Sequence, residues 1–141
     1  MSGHHRVMRG TALMEFALAW PVALVLVLGA VETAIWGSET FAAQSSALAG
    51  ARAGAVVGAS SEIAVAVTLR SIAPSLVGVT AASWCPQESR PAPPVWVCAR
   101  DLGSAIEVDV GGVVPALVPI VHERGLPLSA RAVVVKEVFA K

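Results

Sequence analysis

Formal charge is scarce in this chain and absent from one long stretch of it. Only 14% of residues are charged, against about 25% in an ordinary soluble domain. None of the charges falls between Glu15 and Glu32. Lys and Arg balance Asp and Glu, so the formal net charge is zero. The basic residues are scattered, without a Lys/Arg block or interleaved aromatics, which leaves no case for a nucleic-acid partner. No Walker loop, HExxH or dinucleotide fingerprint occurs, and Ser83, Ser104 and Ser129 lack a Gly-x-Ser-x-Gly context. An enzyme is therefore not expected, and neither is a cofactor. His122 and Glu123 are adjacent, which on a strand points them to opposite faces. With no third partner in view, no metal site is expected there. Cysteine is scarce too: Cys85 and Cys98 are the only two. They are too far apart for CxxC, and two ligands alone would not complete a zinc site. In an exported segment they read most simply as one disulfide, the alternative being two unpaired buried thiols.

What is abundant is apolar: 55% of the chain, concentrated near the front. About 20 residues of helix cross the ~30 Å hydrocarbon layer, and residues 16–37 supply such a span. Trp20 and Trp36 stand near its two ends, where aromatic belts form. Arg6 and Arg9 precede it and no basic residue follows until Arg52. The positive-inside rule then places the N-terminus in the cytoplasm and the body of the chain outside. Alanine continues the helix beyond the span. Ala42, Ser46, Gly50, Gly54 and Gly58 recur every four residues along it. That stripe is either a small-xxx-small packing face or the chance pattern of an alanine-rich chain.

A break is expected at Gly58-Ala59-Ser60. Ser61 would then cap a helix over Glu62–Ala73, with Pro74 beyond its end. Alternation over residues 77–82, Val95–Ala99 and Ile106–Val110 predicts short strands. The four prolines of Pro86–Pro94 make a loop, Gly111-Gly112 a break or bulge, and His122–Gly125 a polar turn. Leu128–Val138 predicts a final strand. The organisation expected is a short cytoplasmic leader (1–10), a long helix (11–58) and an extracytoplasmic domain (59–141). Helix followed by about four antiparallel strands is an α+β class.

Glu15 needs an explanation, because a carboxylate costs about 2.5–3.5 kcal/mol at mid-membrane on insertion scales and less at the interface. A cleaved signal peptide fits poorly. Its best small-x-small site, Ala47-Leu48-Ala49, lies beyond both Glu32 and Glu39. A plain signal anchor explains the span and not Glu15. Cleavage after Gly10 explains both residues: Thr11 becomes a free amino terminus, and Glu15, followed by Phe16, becomes the fifth residue. A carboxylate there can pair with a terminal amine, its own or a neighbour's, where water is scarce.

Gly-x-x-x-x-Glu-Phe before an apolar run resembles the sites cut by prepilin peptidases. The stretch Arg9 to Leu18, with Pro21 soon after, resembles specifically the TadE-like proteins of Tad (tight adherence) pilus systems. Glu32 after Gly29-Ala30-Val31 continues the likeness. So does Ala47 to Gly54, although Leu48 stands where that family commonly has Arg. The tail from Leu128-Ser129-Ala130-Arg131-Ala132 to Glu137 is similar to the family's closing strand. The resemblance implies a minor pilin, or pseudopilin: a peptidase substrate needed for Flp pilus assembly, adhesion or export. Its implied partners are membrane lipid, the prepilin peptidase, other minor pilins and the major Flp pilin. The competing expectation is a signal-anchored single-pass protein whose outer domain binds a partner without entering a pilus.

Overall fold

The computed structural model describes residues 5–117 and 125–137, with side chains from Met14 onward. Helix α1 runs from His5 to Ala55 without interruption. Its 51 residues correspond to a rod of about 77 Å at 1.5 Å per residue. Pro21 lies inside it and removes one backbone N–H from the ladder. Residues 14–31 are exposed all round. Burial starts lower on the rod at Glu39 and follows one face through Ala43, Ala47 and Ala51, all fully buried.

Helix α2, Ser61–Ile72, packs against that face. Ser60, not Ser61, occupies the N-cap position, and its side chain makes no capping hydrogen bond. The Ser60 carbonyl instead accepts from the Ala64 N–H at 3.2 Å, while Glu62 sits in the first turn, where the helix dipole favours an acid. A 3₁₀ turn, Ala73–Ser75, follows with Pro74 inside it.

Four strands form one sheet in the order β1 (Ala81–Ser83), β2 (Val95–Asp101), β3 (Ala105–Val114), β4 (Leu126–Val135). The α+β class is as expected, but the sheet is mixed. β2–β3 and β3–β4 are antiparallel, whereas β1 pairs with β2 in parallel, Ala81 opposite Val95. The reason lies in residues 84–94. Antiparallel neighbours can be joined by two residues, whereas parallel ones need a crossover of about a dozen, and this proline-rich loop has that length. β3 also passes straight through Gly111 and Gly112 in unbroken register, where a break or bulge was expected. A Cβ at Gly111 would stand 2.8 Å from Trp96 Cε2, and one at Gly112 the same distance from the Val95 Cα. Gly111 therefore leaves room for the Trp96 ring, and Gly112 lets the strand approach the Pro94–Val95 backbone. Of the expected tail strand, Val138 lies outside the described residues, as do positions 122–124 of the expected polar turn.

One face of the sheet meets the helices. Val95 and Val97, Ile106, Val108 and Val110, and Leu128, Ala130 and Ala132 form the core with Ile72 and the alanines of α1. The edge of β4 is covered by α1: the Pro127 carbonyl accepts from Trp36 Nε1 (2.9 Å) and the Arg131 carbonyl from Gln44 Nε2 (3.3 Å). A covered edge has fewer free groups with which to recruit another strand.

Candidate processing and assembly segment

Gly10 and Thr11 lie in the backbone of α1, in its first two turns. Glu15 follows Thr11 by four residues, so the two positions share one helix face. Glu15 is exposed, and so is Phe16, whose ring stacks on Trp20 with centroids 6.1 Å apart. At the other end of the apolar stretch Glu32 is half-buried, with Oε1 buried and without a hydrogen-bond partner among the described residues. Trp36 is tied to the C-terminal domain through Pro127 rather than standing free.

The five small residues of the expected stripe divide. Ser46, Gly50 and Gly54 are buried, Ala42 is half-buried, and Gly58 is exposed beyond the helix end with φ of +80°. The buried ones face this chain's own domain. A Cβ on Gly50 would overlap Thr68 Oγ1 and stand 2.6 Å from the Ala64 carbonyl oxygen; one on Gly54 would stand 2.8 Å from Ala64 Cβ and 3.2 Å from Ile106 Cγ2. The small residues thus set the approach of α1 to α2 and β3.

Cys85 and Cys98 are bonded, with Cα atoms 4.9 Å apart. The bridge joins the start of the crossover loop to the middle of β2, not the two arms of a hairpin, because β1 and β2 are parallel. Trp84 and Trp96 meet edge to face beside it at 5.6 Å. Trp84 Nε1 donates to the Arg90 carbonyl, and Arg90 Nη2 to the Ser83 carbonyl. In the same loop the Glu88 carboxylate accepts from Arg90 and from the Cys85 N–H, and its pKa lies below the usual glutamate value for those reasons, Arg90 first.

Two features escape a reading of the sequence. Glu39 is buried, and its Oε1 accepts from the Val77 N–H at 3.0 Å, fastening α1 to the segment after the 3₁₀ turn. On the outer sheet face Asp109 accepts from Arg100 (2.8 Å) and Arg131 (2.7 Å), with Glu107 beside both. The hydrogen bond to Asp109, then the charges of Asp109 and Glu107, raise the Arg131 pKa. The period-two spacing of Glu107 and Asp109 signals a shared face; nothing in the sequence pairs them with Arg100 and Arg131 before the strand register is known.

A helix long and apolar enough to cross a membrane, continuous with a small disulfide-bonded α+β domain, defines the class of protein. The family model described as TadE-like protein matches residues 10–55, starting at the glycine before the expected cut and ending with α1. Such a TadE-like segment suggests a Tad pilus-related membrane protein. No curated protein and no solved structure matches the chain.

Proposed function

We propose that this chain is a minor pilin of a Tad (Flp) pilus, cut between Gly10 and Thr11 by a prepilin peptidase and then used in pilus assembly, adhesion or export. The observation that carries the reading is the family match over residues 10–55. Its supporting geometry is Glu15 on the exposed surface of α1, one helical turn after the proposed new amino terminus. The uncut chain sits in the membrane with its N-terminus in the cytoplasm and residues 59–141 outside. Its partners are the peptidase, lipid, other minor pilins and the major Flp pilin. The peptidase supplies the chemistry; this chain is the substrate and a structural subunit.

The first prediction tests this directly. In cells that carry the cognate peptidase, intact-mass measurement should find a mature chain that begins at Thr11. Recovery of a chain that keeps Arg6 and Arg9 would instead support a signal-anchored protein.

A further inference from the structure

The hydrogen bonds between α1 and the domain work as a ruler along the helix. Pro127 lies level with Trp36, Val77 with Glu39, Arg131 with Gln44, and the Glu137 N–H reaches the Ala55 carbonyl. From Trp36 to Gln44 the helix rises about 12 Å, and from Pro127 to Arg131 a strand rises about 13 Å. β4 therefore runs alongside α1 in the same direction. The end of the domain nearest the apolar span is the one at the level of residues 36–39.

Among the described residues, that end is largely apolar. Val113 pairs with Pro127 in the sheet and so lies at the level of Trp36. Leu117 follows three residues after β3 ends. Gly78 and Pro115 bring the two segments into contact, a Cβ on Gly78 standing 3.4 Å from Pro115 Cγ. Val77, Val113 and Leu117 are 50%, 42% and 55% exposed. Residues 76–80 and 112–117 include no formal charge. Among the described residues, the Lys136–Asp101 pair is at the opposite end, beside the end of α1, the Asp109 group is at the level of Gln44, and Arg90–Glu88 lies within the crossover loop, where Arg90 also donates to the Ser83 carbonyl. Exposed apolar side chains gathered at one end of a domain in this way mark an interaction surface.

We propose that this rim, built from Val77, Val113, Pro115 and Leu117, seats the domain on the lipid surface. The inference rests on the reading of residues 16–37 as a membrane span. The occupant follows from position: α1 leaves the domain at this level and enters its uncovered apolar stretch, so the bilayer interface lies directly beneath the rim. Apolar side chains without charge can enter the boundary between headgroups and acyl chains, as the apolar face of an interfacial helix does. The Trp36 ring, with its N–H satisfied by the protein, stands at the same depth.

The test uses the full chain in phosphatidylcholine vesicles, with one new cysteine at a time carrying an environment-sensitive fluorophore. The disulfide leaves no native thiol to label. Leu117→Cys and Val77→Cys probe the rim, Leu102→Cys (exposed at the far end of the domain) reports water, and Val25→Cys reports the span. Brominated lipid should quench the labels at 117, 77 and 25 and spare the label at 102, while aqueous iodide does the reverse. A label at 117 as open to iodide as that at 102, with 25 still quenched by lipid, overturns the lipid seat and leaves the span intact. Shielding of 117 from both quenchers also overturns it, since protein would then cover the rim. Loss of lipid quenching at 25 itself refutes the span and the seat with it.

Discussion

Glu15 and Gly50 show how far one position decides an outcome in this chain. Only cleavage creates a free amine one turn from the Glu15 carboxylate, so Glu15→Gln preserves the shape and leaves that amine unpaired where solvation is weak. The variant should mature at least in part yet support no piliation, whereas Gly10→Leu should remain uncut. An immunoblot for the size shift, read beside a count of surface pili, checks both; wild-type piliation by Glu15→Gln would reduce Glu15 to an ordinary interfacial residue. Gly50 acts inside the domain. Its missing Cβ is the space taken by Thr68 and the Ala64 carbonyl. Gly50→Val should destabilise the domain by about 1–3 kcal/mol through overpacking. Gly37→Ala, with nothing within 4 Å of the added carbon, should instead gain up to about 1 kcal/mol of helix propensity. Chemical unfolding in detergent compares the two. Glu39 could not be singled out in this way from the sequence, because its partner, the Val77 N–H, lies 38 residues away across a helix and a turn.

Among the elements, those set by local chemistry were legible and those set by long-range pairing were not. The charge-free run and the alanines announce α1, and the proline after α2 announces its end. The direction of β1 depends instead on how residues 84–94 cross the sheet end. No propensity encodes that path, so antiparallel pairing was expected where parallel is found. Gly111 and Gly112 read as a break or bulge for a similar reason: only the register sets Trp96 over the first and the Pro94–Val95 backbone against the second. The disulfide was legible from the cysteine count, though its place in a crossover was not. Because it closes a loop with a sequence separation of 13, replacing both cysteines by alanine should cost about 3 kcal/mol in the chain-entropy model. Denaturant midpoints of the oxidised wild type and the double variant measure this. Two titratable thiols in unfolded, unreduced protein would show that the bridge does not form in the cell.

For the molecule as a whole, acid should loosen the domain before it touches the apolar rod. Asp101 is held below the usual aspartate pKa, first by its hydrogen bond from Lys136 and then by the Gly103 N–H. A carboxylate with a folded-state pKa below its unfolded value stabilises the fold above that unfolded value. The contribution fades as pH falls below about 4 and toward the folded value. Glu88 follows the same sign. Thermal unfolding from neutral pH down through this range should show a falling Tm. Asp101→Asn should lower Tm at neutral pH and converge on wild type in acid. A variant with the same pH profile as wild type would remove Lys136–Asp101 from the account.

The seam between β4 and α1 also has a consequence in time. Trp36 and Gln44, made early, donate to the carbonyls of Pro127 and Arg131, made much later, and the Ala55 carbonyl accepts from the equally late Glu137 N–H. The longest of these spans 91 residues, and contacts so distant in sequence slow folding because the loop must close before anything rewards it. The buried alanine face of α1 therefore lacks its closing strand until β4, about 70 residues beyond the end of α1 (Ala55 to Leu126), has emerged from the ribosome. Chains truncated before Leu126 should carry β3 as a bare edge and aggregate or be degraded. Pulse-labelling of nested truncations should show protease resistance of the domain arising abruptly, only once the final strand is present.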